Sequence, residues 1–523
     1  MNQPVRPGDI PGDIDNSNNQ RYTARLSIGH DPKQAMNVVL DTGSTDLWLD
    51  PEEGMKADFH DTGVAHQITY GGGSSINGSI GQTEVFISGY TIPKQAFINV
   101  TQNRGLDACR SSGICGLVGL GFDAPDRGIQ AALTKGGLDG PAIGKSVLYN
   151  IFDAHPELPR HFGLSLSRIG DDAPGAKEAS LAIGAYDPNY SNVQVMPKFP
   201  VFPPGGLSWH ILGKNAQVNG KDIEWPINDY KTPAGHHKIG LDSGTTNMLV
   251  PPHVREAIYS KIPGAALARD SKIRNSHWSA DSDVWVVPCN TPVNFTVVFG
   301  HDDSDKPEDG YVPYHIHPLD MTDMRIVEGP DGKAYTICVG TMTNGGSISN
   351  GSTDALFGAS FMRNVYTVFS FGDKSNTTAP SIQMLSKTNS ADWAAEDFAA
   401  TRGPKYLGST KNAPELWPNQ VIQLFDGKAP AMTGPVVVGA GAEPPRPGPV
   451  SAGFKSTAAL ADSSSSSLSA SDPGLGKLAP AILGLLAANL LVGIVLERSP
   501  SSGTSAVTGL WGTRISRPFI HRC

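Results

Sequence analysis

Residues 38–49 read VVLDTGSTDLWL. A branched apolar run favours an extended strand, and the Asp-Thr-Gly that closes it favours a tight turn. The strand therefore ends by presenting one carboxylate, Asp41, on a turn. Residues 237–251, HKIGLDSGTTNMLVP, repeat the arrangement: an apolar strand, then Asp242 followed by a hydroxyl residue, Gly and further hydroxyls. Each copy is followed at a distance by a Gly-broken apolar run, GLVGLGF at 116–122 and LFGASF at 356–361. One arrangement used twice at long spacing predicts two similar β-lobes about a pseudo-twofold axis. Asp41 and Asp242 would face each other between them.

Two carboxylates within about 3 Å cannot both ionise, so they share one proton and titrate as a coupled pair. The charged member accepts a proton from water, and the protonated member donates one to a carbonyl oxygen. Such a pair hydrolyses an amide by general acid–base catalysis, without metal or covalent intermediate. Gly43 and Gly244 permit the tight turns. Thr42 and Ser243 offer hydroxyls that tie the two loops across the axis. Ser44 and Thr245 either cap their turns or hydrogen-bond the outer carboxylate oxygens. A third Asp-Thr-Gly, at 61–63, follows MKADFH rather than an apolar strand and reads as a surface turn.

Only 17% of the chain is charged, against about 25% in an ordinary soluble domain. With 59 Gly and 41 Pro the chain is heavily punctuated. Short runs such as YTARLSIG, QTEVFISGYTI, HFGLSLSRI, NFTVVFG and VYTVFSFG lie between Gly, Pro, Asn and Asp clusters, which predicts an all-β fold. Helices are expected at 126–136 and 253–262. A formal charge of −9 with no basic patch excludes nucleic acid as a partner. His236-His237 and the His-Ile-His at 315–317 lack a third ligand at metal spacing, and HDDSDKPEDG at 301–310 lacks the alternating ligands of a calcium loop. No metal or cofactor is expected. No GxSxG elbow or phosphate loop occurs.

The five cysteines, Cys109, Cys115, Cys289, Cys338 and Cys523, include no CxxC pair; two local disulfides and an odd terminal Cys are the simplest expectation. Sequons at Asn77, Asn99, Asn189, Asn294, Asn350 and Asn376 fit an oxidising, secretory environment. The opening MNQPVRPGDIPGDID has neither the basic nor the apolar region of a signal peptide, and the expectation is a trimmed or incomplete start.

The segments expected in order are an N-terminal tail (1–20), an N-terminal β-lobe (21–200) and a C-terminal β-lobe (201–387). An Ala/Pro/Gly/Ser-rich linker or stalk follows at 388–477. Residues 478–496, LAPAILGLLAANLLVGIVL, are uncharged and long enough to cross about 30 Å of hydrocarbon as a helix. The tail 497–523 carries Arg498, Arg514, Arg517 and Arg522 against Glu497, which places it on the inner side. A lipid-anchor signal removed on processing is the alternative to a transmembrane helix.

From residue 21 to about 387 the chain resembles the pepsin-like aspartic peptidases, which are bilobal all-β enzymes with pseudo-twofold symmetry. RLSIG followed by VVLDTGSTDLWL is similar to that family's first strands and active-site loop, and LDSGTT to its second loop. The resemblance implies Asp41 and Asp242 as the catalytic pair. ITYGGGS at 68–74 resembles the flap hairpin, which implies Tyr70 over the cleft with Trp48 as its hydrogen-bond partner. GLVGLGF and LFGASF look like the loops that pack behind each aspartate, and ASLAIGAYDPNY and LSWHILGKNAQVNG like the strands joining the lobes. Cys289 and Cys338 sit where the family often has a bridge; Cys109 and Cys115 lie away from its commonest first-lobe bridge. The second loop departs in carrying Ser243, which keeps the hydroxyl.

The implied function is an aspartic endopeptidase acting on extended polypeptides in acid, monomeric, and held at the cell-surface membrane. The extracellular space and a vacuole-like acidic lumen are further placements. A catalytically silent peptide- or protein-binding relative of the same fold is the alternative. The presence of both aspartates and of the flap tyrosine weighs against it.

Overall fold

The computed structural model describes residues 12–427 except 30–34, 52–58, 108, 170–178, 226–231, 274–282, 301–309, 346–352 and 374–376. The acidic stretch 301–309, the apolar run 478–496 and the basic tail lie outside the described residues. Among the described residues no helix is long and apolar enough to cross a membrane.

In the first lobe, an eight-stranded sheet carries Asp41 at its centre. Strand Ala35–Asp41 runs parallel to Ile114–Gly119 with Asp41 opposite Gly119, and Leu47–Leu49 pairs antiparallel with the other edge of that same strand. Ile114–Gly119 is buried throughout, which explains why it reads as an unbroken apolar run rather than an alternating one. The second lobe repeats the crossing: His237–Leu241 runs parallel to Ala355–Phe357, and Met248–Val250 pairs antiparallel with it. Glycine is required at the matching crossings. A Cβ on Gly119 would lie 2.2 Å from the backbone carbon of Thr45, and one on Gly358 would lie 2.2 Å from the carbonyl oxygen of Thr245.

A third, six-stranded sheet joins the two halves and does not respect a boundary at residue 200. Its order is Gly12–Asp13, Ser180–Ile183, His161–Ser165, Val365–Ser370, Ser381–Ser386 and Lys198–Pro200. The expected tail 1–20 is thus partly strand, since Gly12–Asp13 belongs here and Asp15–Ser17 pairs with Arg21–Thr23 of the first lobe. One apolar core runs through the junction. Phe162 stacks on Phe369 at 4.9 Å, and the Trp209 indole donates to the Leu120 carbonyl at 3.0 Å.

The linker expected from residue 388 needs correction over its first forty residues. Ala391–Thr410 and Pro418–Asp426 are helices packed on the second lobe. Ser390 caps the first, and Ala394, Phe398 and Arg402, spaced four apart, form its buried stripe. Val421 and Ile422 of the second pack against Val286 and Val339 of a four-stranded sheet. Gly and Pro at 403–404 mask this amphipathic pattern in the composition.

The helices expected at 126–136 and 253–262 appear as Gly128–Lys135 and Pro252–Tyr259, and Val147–Ala154 adds another. The third Asp-Thr-Gly lies on strand His60–Thr69 at a register shift, with Gly63 N–H donating to Asp61 at 2.9 Å. Disulfides join Cys109 to Cys115 and Cys289 to Cys338.

Candidate active site

Asp41 is the last residue of strand Ala35–Asp41 and Asp242 directly follows strand His237–Leu241; both are fully buried, and each carboxyl is an electrostatic neighbour of the other. Their surroundings match atom for atom. Gly43 N–H donates to Asp41 Oδ1 and Gly244 N–H to Asp242 Oδ1, both at 2.9 Å. Ser44 Oγ donates to Asp41 Oδ2, and Thr245 Oγ1 to Asp242 Oδ2 at 2.8 Å. With the backbone and hydroxyl donors committed this way, the two carboxyls are held face to face.

The loops are also fastened to one another. Thr42 Oγ1 donates to the Leu241 carbonyl at 2.9 Å and accepts from Ser243 N–H at 2.9 Å. Ser243 Oγ donates to the Leu40 carbonyl at 2.6 Å and accepts from Thr42 N–H at 3.1 Å. Four hydrogen bonds thus cross between lobes inside one buried cluster, where the low local dielectric strengthens each.

The electrostatics follow from burial. Enclosure raises the carboxyl of Asp41 above the ordinary aspartate range. Enclosure raises Asp242 further, with the negative charge of Asp41 as the next contribution. The pair therefore keeps one proton well above the pH at which an exposed aspartate loses it.

Strands His60–Thr69 and Ser75–Ile87 form a hairpin with Thr69 opposite Ser75, closed by the single turn Gly71–Gly73. Tyr70 stands at its tip, buried, and accepts the Trp48 indole N–H at 2.7 Å. Its hydroxyl is pushed well above the ordinary tyrosine range by burial and by Asp41, so it remains protonated. Asp46, which sequence reading passed over, accepts Ile129 N–H at 3.1 Å and moors the first aspartate loop to helix Gly128–Lys135.

A second buried group also escaped sequence reading. Asp320 takes a 2.5 Å ion pair from Arg168 and a 2.6 Å pair from Arg363, with Asn364 Nδ2 donating at 2.9 Å. Arg363 also reaches the Asn19 carbonyl at 2.8 Å, so the cluster ties the N-terminal strands to the second half. Burial pushes the Asp320 carboxyl up, but the two guanidinium charges outweigh it and hold the group well below the usual carboxylate range. These partners lie 43 and 152 positions from Asp320, and no local pattern announces them. Among the described residues no group of three or more His, Cys, Asp or Glu is placed to hold a metal ion.

The eukaryotic aspartyl protease family matches residues 21–381. Major aspartyl peptidase 1 of Cryptococcus neoformans var. grubii is 24% identical over 368 residues, 67% of this chain and 66% of that protein. Secreted aspartic protease 5 of Candida albicans is 23% identical over 397 residues, covering 69% and 76%. Vacuolar protease A of Neurospora crassa is 32% identical over 130 residues, covering 22% and 32%. The chain thus spans just under two thirds of the first of these relatives and about a third of the vacuolar one. The family match contains both aspartate loops, both strand crossings and the Tyr70 hairpin, and the chain belongs to the eukaryotic aspartyl proteases.

Proposed function

We propose that the protein is an aspartic endopeptidase that cleaves extended polypeptides in acid, with Asp41 and Asp242 as its catalytic pair. The observation that carries this reading is the pair of buried carboxyls brought together on cross-bonded loops of the two lobes, each held by its own matching donors. Asp41 takes a proton from a water molecule as the water oxygen bonds to the peptide carbonyl carbon. Asp242 gives its proton to the carbonyl oxygen, forming a tetrahedral diol. Asp41 then passes its proton to the amide nitrogen, the C–N bond breaks as a diol hydroxyl returns a proton to Asp242, and a carboxyl and an amine terminus leave. Thr42, Gly43, Ser44, Ser243, Gly244 and Thr245 hold the pair in place. The hairpin bearing Tyr70, supported by Trp48, closes over the substrate and excludes bulk water.

Both aspartates come from one chain, which supports a monomeric enzyme. The two disulfides and the secreted and vacuolar relatives support a secretory route, ending at the cell surface, outside the cell or in an acidic lumen. The run 478–496 supports attachment to a membrane, with the residues from 428 to 477 as the spacer. Alkaline carbonate extraction of membranes carrying the full chain, compared with a chain lacking 478–496, tests that attachment.

The activity is tested by incubating the full chain with a denatured protein substrate from pH 3 to 7, beside Asp41→Asn and Asp242→Asn. Acid-peaked cleavage that disappears in both folded variants is expected. A folded wild type that leaves the substrate intact would overturn the reading in favour of a binding protein.

A further inference from the structure

Arg21 opens the strand Arg21–Ile28, yet its side chain is only 6% exposed. Its Nε donates to Asp107 Oδ2 at 3.0 Å, and its Nη1 donates to the Gln20 carbonyl at 3.2 Å and to Thr246 Oγ1 at 2.8 Å. Thr246 also donates to the Gln20 carbonyl at 3.2 Å, and its own carbonyl accepts Ser360 N–H at 3.0 Å. Thr246 is the next residue after Thr245, whose hydroxyl holds Asp242. Arg21 therefore grips the second aspartate loop from the first lobe, 225 positions away in sequence. Asp107, 10% exposed at its side chain, lies on the far side of the guanidinium.

We propose that Arg21 is a positioning residue: it fastens the second aspartate loop to the first lobe, and its charge, opposed by that of Asp107, sets the pH range in which the pair works. This rests on the peptidase reading above. The charged and titratable groups around the site are Asp41 and Asp242 themselves, Tyr70 from the hairpin tip, which senses Asp41 and Asp46, and Arg21 from its strand, paired with Asp107 from the turn after Tyr90–Arg104. Arg21 is a cation acting on Asp41, and it favours that group's ionised form. A cation near a carboxyl pair moves its titration to lower pH, and an anion moves it to higher pH. The two partners of one ion pair should thus act with opposite sign, which a purely structural role would not produce.

The test is kcat/KM of the full chain on a peptide substrate from pH 2.5 to 7, for wild type, Arg21→Gln, Arg21→Lys and Asp107→Asn. Arg21→Gln should move the limbs up by roughly half a pH unit, the size expected of one partly screened charge. Asp107→Asn should move them down, and Arg21→Lys should stay near wild type. A uniform loss of kcat/KM with limbs unmoved in both charge variants would overturn the proposal. If Arg21→Gln fails to fold, Asp107→Asn decides alone: a downward shift supports the role and an unmoved profile rejects it. A wild type that cleaves nothing removes the peptidase reading and this proposal together, whereas an active wild type with superimposed profiles removes only the role of Arg21.

Discussion

The Trp48 indole N–H donates to the Tyr70 hydroxyl at 2.7 Å, and both rings are buried. The tip of the Tyr70 hairpin therefore hangs from the strand that follows the first aspartate loop. Trp48→Phe keeps most of the ring volume and removes the donor, leaving a buried hydroxyl without its partner. The expected loss is about 1–3 kcal/mol of flap stability, and kcat/KM should fall about tenfold, the equivalent of about 1.4 kcal/mol. Tyr70→Phe in the same background should add little, because the bond is already gone. Steady-state kinetics of the double-mutant cycle measures this, and additive losses would show that the bond is idle.

Asp41→Asn and Asp242→Asn should each cost roughly 10²- to 10⁴-fold in kcat. Their stability should change in the opposite sense. The folded carboxyls titrate above their unfolded values, so the stability they contribute is complete below the unfolded value of about 4 and is lost as pH rises through the folded values. An amide there escapes that loss. Thermal unfolding from pH 3.5 to 7 should show the gap between variant and wild type moving in favour of the variant with rising pH, and a constant gap would contradict buried titration.

Asp320 behaves the other way. Its folded carboxyl titrates below the unfolded value, so the stability it contributes is present above about pH 4 and lost only in strong acid. Asp320→Asn leaves Arg168 and Arg363 buried without their counter-charge and should destabilise the fold by about 3–5 kcal/mol. Denaturant unfolding at pH 5 measures it. A change under about 1 kcal/mol would place the pair among weak surface-type bridges.

Gly119→Ala and Gly358→Ala should be costly to similar degrees, since each new methyl meets backbone 2.2 Å away and backbone cannot step aside. About 3 kcal/mol or more is expected for each, read as a lowered midpoint in urea. Gly403→Ala, where a Cβ meets nothing within 4 Å, is the control and should not lower the midpoint.

Helix Ala391–Thr410 should protect the Cys289–Cys338 bridge. Arg402 donates to the Cys289 carbonyl at 3.3 Å and the Thr322 carbonyl at 3.0 Å, and both sulfurs are buried. A chain ending at residue 387 should lose that bridge to dithiothreitol markedly faster than the full chain. Equal rates, followed by thiol labelling and mass spectrometry, would mean that the helix is dispensable.

The aspartate loops were legible because their signal is local: a strand, a carboxylate, a hydroxyl and a glycine in fixed order, given twice. The hairpin was legible for the same reason, since Tyr70 and the three glycines after it announce a tight tip. What the sequence hides is long-range pairing of charge. Nothing around Arg21 points to Thr246, and nothing around Asp320 points to Arg168. The helices after residue 390 were obscured differently, by a stretch whose Ala, Gly and Pro content outweighed the four-residue spacing of Ala394, Phe398 and Arg402. The strand at Gly12–Asp13 carries two residues and no apolar signal, and only its partner Ser180–Leu181 defines it.

The six-stranded sheet has a consequence for the order of assembly. His161–Ser165 pairs with Val365–Ser370, so a strand made early waits for one made some two hundred residues later. On the ribosome the first half can draw its eight-stranded sheet together, but the sheet beneath it stays open until the chain is nearly complete. Contacts that distant close slowly. During that interval the exposed edge of His161–Ser165 is the place where a nascent chain is open to capture by a chaperone or to mispairing with a second copy.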